Sequence, residues 1–336
     1  MQALSLIAPG ELRIAEVEQP RQVPGNVLLR VDMVGLCGTD LNSFRGNNPL
    51  VTYPRILGHE IAGTLLEDSA TLPAGTRVTV SPYTSCGRCA SCLRGRVNAC
   101  QFNETFGVQR DGGITERLSV NESKVYPSSR LSTRDLCIVE PLTVGVHAVA
   151  RGRVAAGETV AVFGCGGVGL GAIAGAAFRG ARTIAIDLDD EKLETAKAAG
   201  ATDLIHSGRE DFRTRLRDLT GGLGPDVIIE AIGLPETFRA AVEEVAFSGR
   251  VVYIGYAKQP ISYETKLFVQ KELDILGSRN ALPADFREVI AMLEEGRFPV
   301  DRAVSAIVGL YEAPSIMAKW AASPSSFTKI MIQMHS

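Results

Sequence analysis

The sequence predicts an α/β chain in two parts, a doubly wound parallel sheet domain and a second domain that is mostly β. Three observations carry this. Between residues 159 and 276 short apolar runs alternate with helical stretches, as expected of parallel strands joined by right-handed helical crossovers and covered on both faces. The first 140 residues are rich in Gly and Pro, with short alternating segments such as Val27-Leu-Leu-Arg-Val-Asp32 and Arg77-Val-Thr-Val80, the pattern of an antiparallel sheet with loops. A length of 336 residues also exceeds what one core comfortably serves.

In order, the apolar runs predict strands at 159–163, 182–187, 202–205, 226–230, 249–254 and 274–276. Helical spacing between them predicts helices over 168–180, 189–199, 210–219 and 235–246. The C-terminal part predicts helices over 284–295 and 312–321 and a last strand at 328–332. The domains are expected at 1–145 with 281–336, and at 146–280. Residues 160–178 run nineteen positions without a charge, the length of a membrane span, but six are glycines. A strand, a glycine turn and a helix packed on a sheet account for that run better than a transmembrane helix.

Hydrophobic residues make up 45% and charged residues 22%, and the net charge is −3 with both signs spread along the chain. There is no basic stripe of the kind nucleic-acid binding needs. The first residues, Met-Gln-Ala-Leu-Ser-Leu-Ile, lack a charged segment followed by a long apolar one. The chain has seven cysteines, an odd count, and a cytoplasmic, reducing setting is therefore expected, in which thiols bind metal rather than pair.

Four of those cysteines, Cys86, Cys89, Cys92 and Cys100, are spaced C-x2-C-x2-C-x7-C. Short C-x2-C steps let sulfurs converge on one ion, and zinc imposes no geometry beyond the tetrahedron the loop offers. The loop has too little apolar content to hold itself by burial. The alternatives are two disulfides or four unrelated thiols. Four thiolates leave no open position, so this ion would be structural.

Gly164-Cys-Gly166-Gly167-Val168-Gly169 falls where a predicted strand ends and a helix begins. The first glycine permits the tight turn, the second lets the backbone approach a pyrophosphate, and the third lets helix and strand pack closely. The phosphates would rest on the helix N-terminus. Asp187 ends the next strand, where a carboxylate accepts the ribose hydroxyls and repels a 2′-phosphate; Leu188, Asp189 and Asp190 supply no cation, which favours NAD over NADP. Ala231-Ile-Gly233 and Ile254-Gly255 end strands on the same sheet edge and are expected to line the nicotinamide pocket, or else are simple turn glycines.

Cys37, His59, Glu60 and Glu140 are each ordinary alone: a thiol, a core histidine, two carboxylates. In a nucleotide-binding chain, a thiolate, an imidazole and a carboxylate would leave zinc one open position, as a catalytic site requires. His59 and Glu60 are adjacent, so on a regular strand they would face opposite sides, and both can reach one ion only if the backbone is irregular there.

Cys37-Gly-Thr39-Asp40, Gly58-His59-Glu60, the four-cysteine loop, Glu140-Pro-Leu-Thr-Val-Gly145 and the glycine turn, in this order, resemble the zinc-dependent medium-chain alcohol and polyol dehydrogenases, such as sorbitol and threonine dehydrogenases. Tyr53-Pro-Arg-Ile-Leu-Gly-His-Glu60 and Gly277-Ser-Arg-Asn-Ala-Leu-Pro-Ala-Asp-Phe286 are similar to the L-galactonate 5-dehydrogenase branch. The resemblance implies a GroES-like zinc-bearing domain, a Rossmann domain, two zinc ions per chain, and a homodimer or homotetramer. It implies a catalytic zinc on Cys37, His59 and, in some states, Glu60. Glu140 would ligate it or bond its water, Asp40 would accept the other ring N–H of His59, and Thr39 would hydrogen-bond the substrate oxygen. Ser278 and Arg279 would complete the cofactor site. One departure is Asn42, where the family often has a relay histidine, because an amide cannot relay a proton by titrating.

The implied chemistry is oxidation of a secondary alcohol of a sugar acid or polyol, zinc favouring the alkoxide and NAD taking the hydride. Asn42, Arg45 and Arg279, with Arg55, are candidate substrate contacts, since guanidinium groups suit a carboxylate; structural roles are equally open to them. Two other readings compete: a zinc-free quinone-type reductase, which needs none of Cys37, His59 or Glu140, and a non-catalytic dinucleotide-binding protein.

Overall fold

The computed structural model describes residues 1–335 and divides into two compact units. One contains residues 1–140, 282–290 and the stretch from 300 onward; the other contains 141–281 and 291–299. The division thus falls earlier than residue 145, within the single helix Val139–Arg151, and 291–299 groups with the second unit rather than with its sequence neighbours.

In the first unit, a seven-stranded sheet is organised around the long strand Asn26–Leu36. Its early part pairs with Arg117–Asn121, and Glu60–Leu65 runs antiparallel beside it with Gly35 opposite Glu60. On its other side Ile330–Gln333 pairs antiparallel, with Leu36 opposite Ile330. That register brings three chain segments to one place: Cys37 just past the end of one strand, Glu60 at the start of another, and Lys329 just before a third. The alternation expected of a half-buried strand is clear at Val27, Leu29 and Val31, which are all buried, and gives way to continuous burial over 33–36. The side chains of Val27, Leu29 and Val31 join Leu4, Leu6, Leu57, Ile61 and Ile114 in one core.

Helices interrupt this mostly β unit where the sequence gives local signals. Gly38–Phe44 begins at Cys37, where the Asp40 carboxylate accepts the Cys37 backbone N–H at 2.9 Å. Thr133–Cys137 begins with a capping box between Ser132 and Asp135.

The second unit is a six-stranded parallel sheet. From one edge to the other its strands are Asp203–His206, Arg182–Asp187, Thr159–Phe163, Val227–Glu230, Arg250–Tyr253 and Asp274–Gly277. Strand order reverses direction from Thr159–Phe163, the switch point at which doubly wound sheets bind ligands. The intervening helices Gly167–Phe178, Asp190–Ala198, Phe212–Leu219 and Pro235–Glu244 follow the predicted ones within a few residues. The sequence reading assigned no helix to 139–151 and none to Lys266–Gln270.

Gly171 of the uncharged run and Gly145, which precedes it, have a packing role. A Cβ on Gly145 would lie 2.2 Å from the Ala172 nitrogen, and one on Gly171 would lie 2.5 Å from the Leu142 oxygen. Helix Val139–Arg151 and helix Gly167–Phe178 therefore cross backbone to backbone. Among the described residues, no helix is long and apolar enough to cross a membrane.

Candidate active site

The four-cysteine loop converges. One ligand atom from each of Cys86, Cys89, Cys92 and Cys100 lies within 4.8 Å of the others, and none of the four is disulfide-bonded. The Cys89 and Cys100 sulfurs are 3.9 Å apart, close to the roughly 3.8 Å edge of a tetrahedron with Zn–S bonds of about 2.3 Å. Backbone N–H groups point at sulfur: Cys89 N–H donates to Cys86 Sγ at 3.3 Å, and Cys86 N–H and Phe102 N–H donate to Cys100 Sγ at 3.4 and 3.3 Å. Such donors favour thiolate. The Cys89 thiol is lowered to about 6, first by the Cys92 backbone, whereas burial pushes Cys92 up to about 11. This donor set fits a closed zinc site.

A second cluster gathers Cys37, His59 and Glu60, again with one ligand atom of each within 4.8 Å of the others. The backbone is irregular where the sequence requires it. Gly58 has φ +94°, and His59 precedes the strand that Glu60 begins, so the neighbours need not face opposite sides. A Cβ at Gly58 would strike Ile114 Cγ1 at 2.6 Å, so glycine is also required for space. His59 is 6% exposed, and among the described residues its Nδ1 has no hydrogen-bond partner. Burial pushes its pKa down, but Asp40, Cys37 and Glu140 outweigh burial and leave it well above 6.5. The surrounding acidic groups thus favour positive charge at this place. A buried imidazole, a thiol and a carboxylate with ligand atoms within 4.8 Å of one another form a donor set that fits a resident zinc.

One expected contact is not made. The Asp40 carboxylate lies 3.8 Å from His59 Nδ1, too far for a hydrogen bond. Its oxygens are taken by the Cys37 N–H at 2.9 Å and the Gly58 N–H at 3.2 Å. Asp40 therefore ties together the two backbone segments that present Cys37 and His59.

Two residues the sequence reading missed complete the cluster. Lys329 Nζ donates to both Glu60 oxygens, at 2.5 and 2.7 Å, and to the Leu36 carbonyl at 3.2 Å. Burial lowers the Lys329 pKa, but the Glu60 charge outweighs it and the net shift is upward. Tyr83 donates its hydroxyl to Glu140 Oε1. Glu140 is pushed up to about 7, first by burial, with His59 opposing and Glu60 adding to the rise. Glu140 does not fall within the close set of Cys37, His59 and Glu60. Both misses come from chain-distant pairing; the sequence shows only a lysine leading into the apolar run Ile330-Met-Ile332.

Thr39 is half-buried, its Oγ1 3.8 Å from Cys37 Sγ. Asn42 is exposed, and its carbonyl accepts the Asn47 N–H at 2.8 Å. The Arg45 guanidinium donates to the Ala321 carbonyl at the end of helix Ala313–Ala322. Arg55 is bonded to Asp111 at 3.1 Å and to Thr52 at 2.8 Å. These ties account for both arginines without a substrate. Arg279 is exposed.

In the second unit the glycine turn has the three expected environments. Gly164 has φ +93° and is buried. Gly166 is exposed and a Cβ there, or on Gly167, would meet nothing within 4 Å, which leaves the approach to the helix N-terminus open. On Gly169 a Cβ would sit 1.8 Å from the Gly164 oxygen. Val168 lies in the first turn of the helix Gly167–Phe178. Asp187 anchors the turn, accepting the Cys165 N–H at 2.7 Å, while its other oxygen accepts the N–H of Leu188 at 2.7 Å and of Asp189 at 3.2 Å. Ala231, Gly233, Ile254 and Gly255 follow the strands Val227–Glu230 and Arg250–Tyr253 and are partly exposed. Ser278 is 8% exposed, with an Oγ that has no partner among the described residues. The open cradle fits a dinucleotide.

Residues 23–130 match the alcohol dehydrogenase GroES-like domain family, and residues 167–295 match the zinc-binding dehydrogenase family. The chain is 34% identical to L-galactonate-5-dehydrogenase of Escherichia coli K12, over 90% of this chain and 89% of that one. It is 35% identical to sorbitol dehydrogenase of Bacillus subtilis 168, over 80% of this chain and 78% of that one. Its fold superposes with a TM-score of 0.91 on the short chain alcohol dehydrogenase rspB of Escherichia coli CFT073 solved with NADH, at 26% identity and 99% coverage of both chains. A zinc-thiol loop, a Cys-His-Glu cluster and a dinucleotide cradle on this two-unit frame place the chain in the zinc-type medium-chain alcohol dehydrogenase family, oxidoreductases that act on CH–OH donors.

Proposed function

We propose that this chain oxidises a secondary alcohol of a sugar acid, of the L-galactonate kind, with NAD as the hydride acceptor. The observation that carries the reading is the convergence of one ligand atom each of Cys37, His59 and Glu60 within 4.8 Å of one another. Cys37 and His59 hold the catalytic zinc, with Glu60 or Glu140 as the carboxylate partner. Zinc bound there supplies Lewis acidity that lowers the pKa of the alcohol, and NAD supplies the hydride acceptor. Thr39 hydrogen-bonds the substrate hydroxyl. Asn42 cannot take the proton onward. Whichever of Glu60 and Glu140 does not hold the zinc is left to accept it, and Glu140 is buried with the Tyr83 hydroxyl donating to it. Gly164, Gly166, Gly167, Val168 and Gly169 hold the pyrophosphate. Asp187 holds the adenosine ribose and selects against a 2′-phosphate. Similarity to L-galactonate-5-dehydrogenase supports the sugar-acid class.

The ties of Arg45 and Arg55 to other groups favour a second reading, in which the substrate is a neutral polyol, as the likeness to sorbitol dehydrogenase also suggests. An NAD-reduction screen of the zinc-loaded protein over aldonates, polyols and threonine separates the two. Faster turnover of aldonates supports the first, and turnover confined to neutral polyols replaces it. Failure to reduce NAD with any of them would leave a non-catalytic nucleotide binder.

A further inference from the structure

The second unit contains a buried carboxyl that none of the chemistry above uses. Glu230 ends the strand Val227–Glu230 and is 0% exposed. Its Oε1 accepts three hydrogen bonds, from Ile232 N–H at 3.0 Å, Gly233 N–H at 2.8 Å and Thr237 Oγ1 at 2.7 Å. Its Oε2 is buried with no partner among the described residues. No lysine or arginine pairs with it among the described ion pairs. Burial raises its pKa. An uncompensated buried carboxyl is costly, so such a group needs a reason.

Its surroundings supply one. The Glu230 carbonyl accepts the N–H of Ile254 at 2.9 Å and of Gly255 at 3.1 Å. Its Oε2 lies 2.4 Å from where a Cβ on Gly255 would be, and a Cβ on Gly233 would lie 2.8 Å from the Tyr256 oxygen. The turn after Val227–Glu230 and the turn after Arg250–Tyr253 are thus packed backbone against backbone, with the Glu230 carboxyl wedged between them. A Cβ on Gly164 would strike Ile232 Cγ1 at 2.7 Å, so the first of these turns also abuts the phosphate-binding turn.

Sheet order says which half of the cofactor meets them. Asp187 ends the strand on one side of Thr159–Phe163, and Glu230 ends the strand on the other. With the pyrophosphate over the glycine turn and the adenosine ribose on the Asp187 side, the nicotinamide half extends over the ends of Val227–Glu230 and Arg250–Tyr253. We infer that Glu230 is a positioning residue for the nicotinamide half of the dinucleotide, its Oε1 fixing the Ala231-Ile-Gly233 turn against the Ile254-Gly255 turn. This rests on the reading that the second unit binds NAD.

The test compares NADH with ADP-ribose, which carries every part of the cofactor except the nicotinamide, on the full-length zinc-loaded protein by titration calorimetry. Glu230→Ala should weaken NADH by about tenfold or more while ADP-ribose changes by less than about twofold. Glu230→Gln keeps the acceptor oxygen and should bind both as the native protein does. If Glu230→Ala does not fold, Thr237→Val removes one of the three donors and should weaken NADH alone, by a smaller factor. Equal losses for NADH and ADP-ribose, or no loss for either, overturn the inference, as does a Glu230→Gln protein as defective as Glu230→Ala. A native protein that binds neither nucleotide removes the NAD reading itself, and this inference with it.

Discussion

Lys329 and Glu60 form an ion pair with side chains 8% and 0% exposed, in contact with the residues that would hold the metal. Removing one partner of a buried pair leaves the other charge uncompensated. Lys329→Met is therefore expected to cost about 3–5 kcal/mol of stability in denaturant unfolding, while Lys329→Arg retains most of it. A loss under about 1 kcal/mol would mean that water or a metal already compensates Glu60. The titrating groups of the cluster give a pH prediction for the metal-stripped protein. Glu140 goes from the usual 4.5 to about 7 on folding, so the folded state binds the extra proton in that window and stability falls as pH rises through it. His59, raised above 6.5, contributes stability that is complete below that value and is lost as pH rises through its folded pKa. Both act in one direction. Between pH 5 and pH 8 the change in melting temperature of metal-stripped protein should be less negative in Glu140→Gln than in the native protein; a more negative change in Glu140→Gln would reverse the sign argued here. Cys37, His59, Glu60 and Glu140 were visible in the sequence because they lie in short motifs. Lys329 and Tyr83 were not, because their partners are set by strand register and by packing between segments far apart in the chain.

Among the elements, the crossing of helices Val139–Arg151 and Gly167–Phe178 depends on atoms that are absent. Gly145→Val would place a branched side chain where even a Cβ lies 2.2 Å from backbone nitrogen. A loss of about 3 kcal/mol or more is expected, above the usual overpacking range because backbone rather than a flexible side chain must yield. Wild-type stability in Gly145→Val would show that the helices slide apart freely. The parallel sheet was readable because each of its strands is a short apolar run bounded by turn residues, and its observed strands fall on the expected runs. Helix Val139–Arg151 was not, since it carries a proline, which stands in the first turn, where a helix tolerates it. At the end of the neighbouring strand, Asp187→Ser removes the carboxylate expected to repel a 2′-phosphate. The ratio of kcat/KM for NAD to that for NADP should fall by at least about tenfold. An unchanged ratio would assign Asp187 only to the backbone N–H groups it already binds.

For the molecule as a whole, the two metal clusters have different donor chemistry and should behave differently. The four thiols of the loop would close an ion and leave no place for substrate, whereas the Cys37 cluster has fewer donors and would leave a position open. Substituting Cys100 should therefore remove one zinc and destabilise the loop without removing the other, and metal analysis of the native protein should find about two zinc per chain. The family-level reading was legible because its motifs are local. The substrate was not, because guanidinium groups that looked available in the sequence are tied to a helix end and to Asp111 in the fold. The central claim is that Cys37 holds the metal at which the alcohol reacts, and the direct measurement is NAD reduction by Cys37→Ser alongside NADH binding to the same protein. Turnover should be abolished while NADH affinity stays at the native value; unchanged turnover would contradict the claim.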